Sequence, residues 1–346
     1  MYLFLRPVLI LGVTLFGMFW PAISISAPES DRIYRLLILD SQTGSPYSEV
    51  RRSLLARLAE YGYREGDNLQ VSLHLAGNDV KKGEAILRNE IPAGFDVVYV
   101  GGTVATISAK RVLYESDQAV VFGSPTDPVG IGVIDGFNQP PRANFTGVSY
   151  PVPVKSRFLF LRQLMPQART FGLIYADMPQ SRSYNRWIKN LLQTDPGFKG
   201  TRVIFRSVPL VTGEEGDRQM AELAIPIIKE LDGQVDAFLK PNDQLGARRH
   251  FARTVFAHAT KPLIGIVKND VVADWGATAV VFPDLDSMGR QVAGMIRDLF
   301  EGGTVRKIEP KWPARYGYAV DLTKTGRFGI RVPVGILQLA GKNIVK

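Results

Sequence analysis

The side chains of this chain that could do chemistry are small, oxygen-rich and gathered in short loops. Gly101-Gly102-Thr103, Ser124 to Pro128, Asp177 to Ser181, and Lys240 to Asp243 each follow a short apolar run and precede a helical pattern. At such a junction the first backbone N–H groups of the helix lack partners within it, so they can donate to a carboxylate or a hydroxyl. Ser, Thr, Asn and Asp are also the ordinary capping and turn residues, so one loop of this kind needs no ligand to explain it. Repetition is what gives the pattern weight. In alternating strand–helix chains, the loops at the carboxyl ends of the strands gather on one side of the sheet, where ligands bind.

Covalent chemistry is poorly provided for. There is no Cys, which removes disulfides, thiolate zinc sites and cysteine nucleophiles. His74, His250 and His258 lack metal-ligand spacing. No G-x-S-x-G, no Walker loop and no G-x-G-x-x-G after the first strand is present, and Gly101-Gly102 follows the third strand without that spacing. Asp284 and Asp286 form a carboxylate pair of the acid–base type, but loop acids usually cap helices or face water. The expectation is a chain with no catalytic residue, metal or cofactor: not an enzyme. The net charge is +9, and past the N-terminal stretch Lys and Arg are spread from Arg32 to Lys346 in nothing longer than pairs, without a nucleic-acid motif. It reads as solubility and some attraction for anions, and nucleic acid is not expected as a partner.

The elements that must position these loops follow from periodicity. Continuous apolar runs predict buried strands at 35–40, 96–100 and 119–122, and an alternating pattern predicts one at 69–75, separated by helical patterns at 50–59, 79–89 and 104–114. The same grammar restarts with helices at 156–164, 183–192, 216–231 and 245–259 and strands at 170–175, 202–207, 235–239 and 262–267. A strand at 278–282 and an amphipathic helix at 287–301 close the pattern. Two such arrays predict an α/β protein of two doubly wound, Rossmann-like lobes. At the N-terminus, Arg6 precedes an uncharged stretch at 7–25 and the small residues Ser24, Ser26 and Ala27. This predicts a cleaved signal peptide over 1–26 and a protein outside the cytoplasm. The competing reading is an uncleaved membrane anchor.

The segment SPTDPVGIGVIDGFNQPPRANFTGVS at 124–149 resembles the ABC transporter substrate-binding family related to tryptophan- and tyrosine-binding lipoproteins, a branch of the type I periplasmic binding proteins. Thr126-Asp127-Pro128-Val129 and Asn144-Phe145-Thr146-Gly147-Val148-Ser149 are similar to that family's T-D-P-V and N-V-T-G-V-S steps. Gly62-Tyr63-Arg64-Glu65-Gly66, Leu164 to Ala168, and the tail 321–340 match further motifs in the correct order. Departures are the missing lipobox Cys, Pro141-Arg142-Ala143-Asn144 in place of P-G-G-N, a first-strand loop that keeps only Pro46, and the basic residues Arg182, Lys240 and Lys268. The resemblance implies three crossings between lobes: 30–149 plus 278–307 in lobe one, 150–277 plus 308–346 in lobe two. It also implies hinge closure on a small solute, an amino acid or related carboxylate, in the inter-lobe cleft, and delivery by a periplasmic monomer to a membrane permease. The alternative is a sensor signalling to a membrane kinase or cyclase.

The ligand-binding set expected on this basis is Gly102, Thr103, Thr126 and Asp127 from lobe one, with Tyr175, Ser181, Asn242, Asp243 and Asp270 from lobe two. Hydroxyls and backbone N–H groups would hold a carboxylate, and an Asp an ammonium. Tyr47, Tyr175 and Tyr184 are candidates to sandwich an apolar side chain, although such aromatics more often pack in a core. Asp127, ahead of Pro128, could equally serve only to shape its turn.

Overall fold

The apolar runs become two sheets. A computed structural model describes residues 32–346 except Glu214; the expected signal peptide lies outside the described residues. In the first sheet β1 (Tyr34–Asp40), β2 (Leu69–Leu75), β3 (Val97–Gly101), β4 (Val120–Gly123) and β5 (Phe145–Val148) pair in the order β2-β1-β3-β4-β5, all parallel. The second holds β6 (Thr170–Ala176), β7 (Arg202–Val208), β8 (Ala237–Leu239), β9 (Leu263–Ile264), β10 (Ala279–Pro283), β11 (Tyr316–Asp321) and β12 (Ile344–Val345). Its order is β12-β11-β10-β9-β8-β6-β7, and only β10 and β11 run antiparallel.

The inner strands β1, β3, β4 and β8 are covered on both faces and buried almost throughout, whereas the edge strands β2 and β7 keep polar, part-exposed positions. Leu36 and Ile38 of β1 pack with Leu54 and Val292, whereas Leu37 and Leu39 point the other way, toward Leu87 and Ala105. In the second sheet Ile174, Phe238 and Val280 share one core, and Leu173, Leu239 and Val281 the other. Two doubly wound lobes result, as expected from the strand–helix alternation.

The expectation for 278–307 needs correction at its first strand. β10 pairs with β9 and β11 in the second sheet, while the helix Leu285–Phe300 packs on the first, against the helix Tyr47–Glu60. A buried apolar strand reads the same in either sheet, so only pairing decides. The chain thus crosses between the sheets after β5, after β10 and before β11.

Other differences have local causes. The helix expected at 216–231 divides into Gly216–Leu223 and Ile225–Asp232, because Pro226 has no N–H to continue a helix and suits the first turn of a new one. The helix expected at 245–259 divides at Arg248, which is extended (φ −108°, ψ 160°). The strand expected at 262–267 stops at Ile264, where the backbone N–H groups of Ile266 and Val267 turn to the Asp270 carboxylate instead of a neighbouring strand. β5, β11 and β12 were not expected as strands. Among the described residues no helix is long and apolar enough to cross a membrane.

Candidate functional site

Loops from the carboxyl ends of both sheets line one narrow cleft. The first lobe contributes Gln42, Tyr47, Thr103, Ser124 and Thr126; the second contributes Gln180, Asn242, Asp243, Gln244 and Arg248; Tyr150 stands on the first crossing. The two lobes touch across it. Asn242 Nδ2 donates to Thr126 Oγ1 at 2.9 Å, and Asn78 Nδ2 donates to Gln244 Oε1 at 2.6 Å and Gln42 Oε1 at 2.9 Å. The break at Arg248 sends its guanidinium across to Gln42 Oε1 (3.0 Å), the Thr43 carbonyl (2.6 Å) and the Ser45 carbonyl (3.2 Å).

On the first lobe, Gly102 has φ +90°, and a Cβ there would lie 2.4 Å from Tyr47 Cε1 and 2.8 Å from Ser41 Oγ. Glycine therefore lets the Tyr47 ring sit directly on the loop. The Gly102 N–H is spent on the Gly123 carbonyl (2.7 Å), so Gly102 is a floor rather than a donor. Thr103 Oγ1 accepts from the Thr126 N–H at 3.1 Å, tying the β3 and β4 loops together. Ser124, in the left-handed region at φ +62°, turns a buried and unpartnered hydroxyl into the cleft.

The acids expected to meet an ammonium have other partners. Asp127 Oδ1 accepts from the Gly130 N–H (2.7 Å), and Oδ2 faces Arg186 across the cleft rim at 3.4 Å, so it shapes its turn. Asp243 accepts from the Ala176 N–H (3.0 Å), the Gly246 N–H (2.9 Å) and Ser181 Oγ (2.8 Å); Ser181 is buried as its support. Burial pushes the Asp243 carboxyl up to about 6 against the pull of those donors. Asp270 pairs with Lys240 Nζ at 2.5 Å, both fully buried, and holds the loop after β9. Burial pulls the Lys240 ammonium below its usual range, with Asp270 opposing. Tyr175 does not reach the cleft: it is half-buried against the second lobe's core. Tyr184 is buried beside an inner recess, its hydroxyl donating to the Val152 carbonyl at 3.3 Å.

Thr103, Thr126, Asn242 and Asp243 are thus brought together on the cleft, with Gly102 beneath and Ser181 behind. Sequence reasoning missed Gln42, Ser124, Tyr150, Gln180, Gln244 and Arg248, together with Arg157 in the recess. Ser124, Tyr150 and Gln180 each leave a buried oxygen, Ser124 Oγ, Tyr150 Oη and Gln180 Oε1, without a partner. Burial raises the Tyr150 hydroxyl's pKa strongly, so it stays protonated and able to donate. Unsatisfied buried polar atoms are costly and uncommon, and their convergence on one cleft suits a polar guest better than a dry core.

A family profile described as ABC transporter substrate binding protein matches residues 44–344. A tyrosine-binding protein of Clostridioides difficile is 22% identical over 261 residues, 75% of this chain and 70% of that protein. Among solved structures, a conserved domain protein of Vibrio cholerae superposes with a TM-score of 0.77 at 18% identity, over 91% of this chain and 100% of that one. The ABC domain from Streptococcus pneumoniae in complex with L-Trp gives 0.76 at 20% identity, over 91% and 100%.

Proposed function

The chain belongs to the ABC transporter substrate-binding family, and from that premise we propose that it captures a small amphipathic solute, an aromatic amino acid foremost, between its lobes and delivers it to the permease of an importer. The observation that carries this reading is the convergence of unpartnered buried oxygens from both lobes and the crossing (Ser124, Tyr150 and Gln180) on one cleft. A solute that satisfies donors and acceptors on both sides favours the closed arrangement by its differential contacts, which is how binding becomes closure. Tyr47, packed closely against Gly102, offers the apolar surface for a side chain. The names of the relatives, a tyrosine-binding protein and a structure holding L-Trp, support the amino-acid class. The role is binding without chemical change, by a monomer outside the cytoplasmic membrane.

A thermal-shift screen of the purified protein against amino acids, simple carboxylates and neutral sugars tests this. A ligand that binds only the folded state stabilises it by about 2.7 kcal/mol at a hundredfold excess over Kd. The expected result is a clear rise in Tm with L-tryptophan or L-tyrosine. A rise only with ribose or inositol would overturn the amino-acid class, and silence with every solute would overturn the binding role.

A further inference from the structure

One buried cation beside the cleft has no acid. Arg157 is on the helix Val154–Leu164, just past the first crossing, and is 2% exposed. Its Nη2 donates to the carbonyls of Lys240 at 2.9 Å and Gly265 at 3.4 Å, but Nε and Nη1 have no hydrogen-bond partner. The nearby acids are committed elsewhere: Asp270 to Lys240, and Asp243 to three donors. Arg157 makes no ion pair among the described residues. Its guanidinium carbon also lies 6.0 Å from the centroid of the Tyr184 ring, a weaker partner than an anion, so this buried cation is held at a cost that an anion would relieve.

The guanidinium borders a narrow recess that also touches Tyr150, Tyr184 and Asn242. Tyr150, Asn242 and Ile266 line both this recess and the main cleft, so the two adjoin. The Tyr150 hydroxyl is a second unpartnered group there.

We propose that Arg157 anchors a carboxylate of the solute in this recess, with the Tyr150 hydroxyl donating beside it and the rest of the solute lying in the cleft. The proposal rests on the cleft being the solute site, and deepens that reading by naming the group recognised and the residue that recognises it. It also replaces the hydroxyl-and-amide cradle expected from the sequence. A solute without the anion would leave the guanidinium buried and unpaired, which is how a polar site rejects a near-isostere.

The test compares acids with their neutral amides. Calorimetric titration and thermal shift would be run with L-tryptophan, L-tyrosine, their amides, 3-indolepropionate and the neutral sugars ribose and inositol, on the wild type and on Arg157→Gln and Arg157→Lys. The wild type is expected to bind an acid at least tenfold more tightly than its amide. Arg157→Gln should bind the acid at least tenfold more weakly and lose the discrimination, and Arg157→Lys should recover part of it. Equal binding of acid and amide by the wild type would overturn the proposal, as would undiminished acid binding by a folded Arg157→Gln. Should that variant not fold, the wild-type acid-to-amide ratio decides alone. A shift with 3-indolepropionate but no amino acid would sink the amino-acid reading and leave Arg157 supported. Binding of a neutral sugar only, or of nothing, would overturn both.

Discussion

At the level of single residues the sequence showed where polar groups gather but not what they face. Thr103, Thr126 and Asn242 were legible because their loops leave the carboxyl ends of strands. Asp243 and Asp270 were legible as loop acids, yet each is turned inward on backbone N–H groups, a use that sequence cannot separate from ligand binding. Arg157 carried a faint signal: with Val154, Leu161 and Leu164 it falls on the apolar stripe of its helix, where a surface arginine would not. Asp40 offers a residue-scale test. It is fully buried at the end of β1, bonded to Arg51, with Oδ1 unpartnered, and burial raises its carboxyl to about 6 despite Arg51. Because the folded-state value lies above the unfolded one, the unfolded chain holds fewer protons between about pH 4 and 6, and Asp40 lowers stability as pH rises through that window. Asp40→Asn should remove this slope. Its stability relative to wild type should improve between pH 4 and pH 7 by up to about 3 kcal/mol, since each tenfold change in proton affinity is worth about 1.36 kcal/mol. Urea unfolding of both proteins across that range checks it, and parallel pH profiles would show that Asp40 is not the titrating group.

At the level of elements, most of the longer strands and helices were readable, because burial on both faces writes an apolar run and burial on one face writes a helical stripe, whereas β5, β11, β12 and the C-terminal helices Leu322–Arg327 and Val334–Ala340 were not. Sheet membership was not readable. β10 is as apolar as any strand of the first sheet, and β11 and β12 join the second through partners distant in sequence. The helix Leu285–Phe300 returns to the first lobe by a close approach that its sequence does mark. A Cβ on Gly289 would stand 2.5 Å from Ser53 Cβ and 2.5 Å from the Val50 carbonyl oxygen of the helix Tyr47–Glu60. Gly289→Ala is therefore expected to push the two helices apart and cost about 1–3 kcal/mol, the range for overpacking a tight core. Gly294, whose Cβ would find nothing nearer than the Tyr61 hydroxyl at 4.0 Å, is the control. Gly294→Ala should be neutral or stabilising, since alanine favours a helix by up to about 1 kcal/mol. Similar denaturation midpoints for the two variants would show that the helix pair yields easily.

At the level of the whole molecule, three crossings join the two sheets, and side chains of the cleft make further bonds between them. Arg248 makes most of the direct bonds between the second lobe and the loop after β1, and it can do so only because its helix breaks there. On the proposed hinge closure, that contact would stabilise the closed arrangement whether or not a solute is present. In a two-state description, removing it shifts the population toward the open form, and a solute that needs both lobes must then restore the difference from its own binding energy. Hydrogen bonds of a charged donor contribute about 1.5–3 kcal/mol each before water takes their place. Re-solvation of a half-buried group cancels much of that, so a net loss near 1 kcal/mol is expected for Arg248→Ala, about fivefold in Kd. The absence of Cys lets one pair of dyes be placed without background, on introduced cysteines at Arg88 of the first lobe and Lys229 of the second. Solute should bring the dyes together in wild type. In Arg248→Ala the solute-free distance should lengthen and the saturated distance should match wild type, with Kd weakened. If the variant binds as tightly as wild type and its solute-free distance is unchanged, the closed arrangement is held by the cleft side chains Asn242, Thr126 and Asn78 instead, and the burden of closure moves from the arginine to the amides.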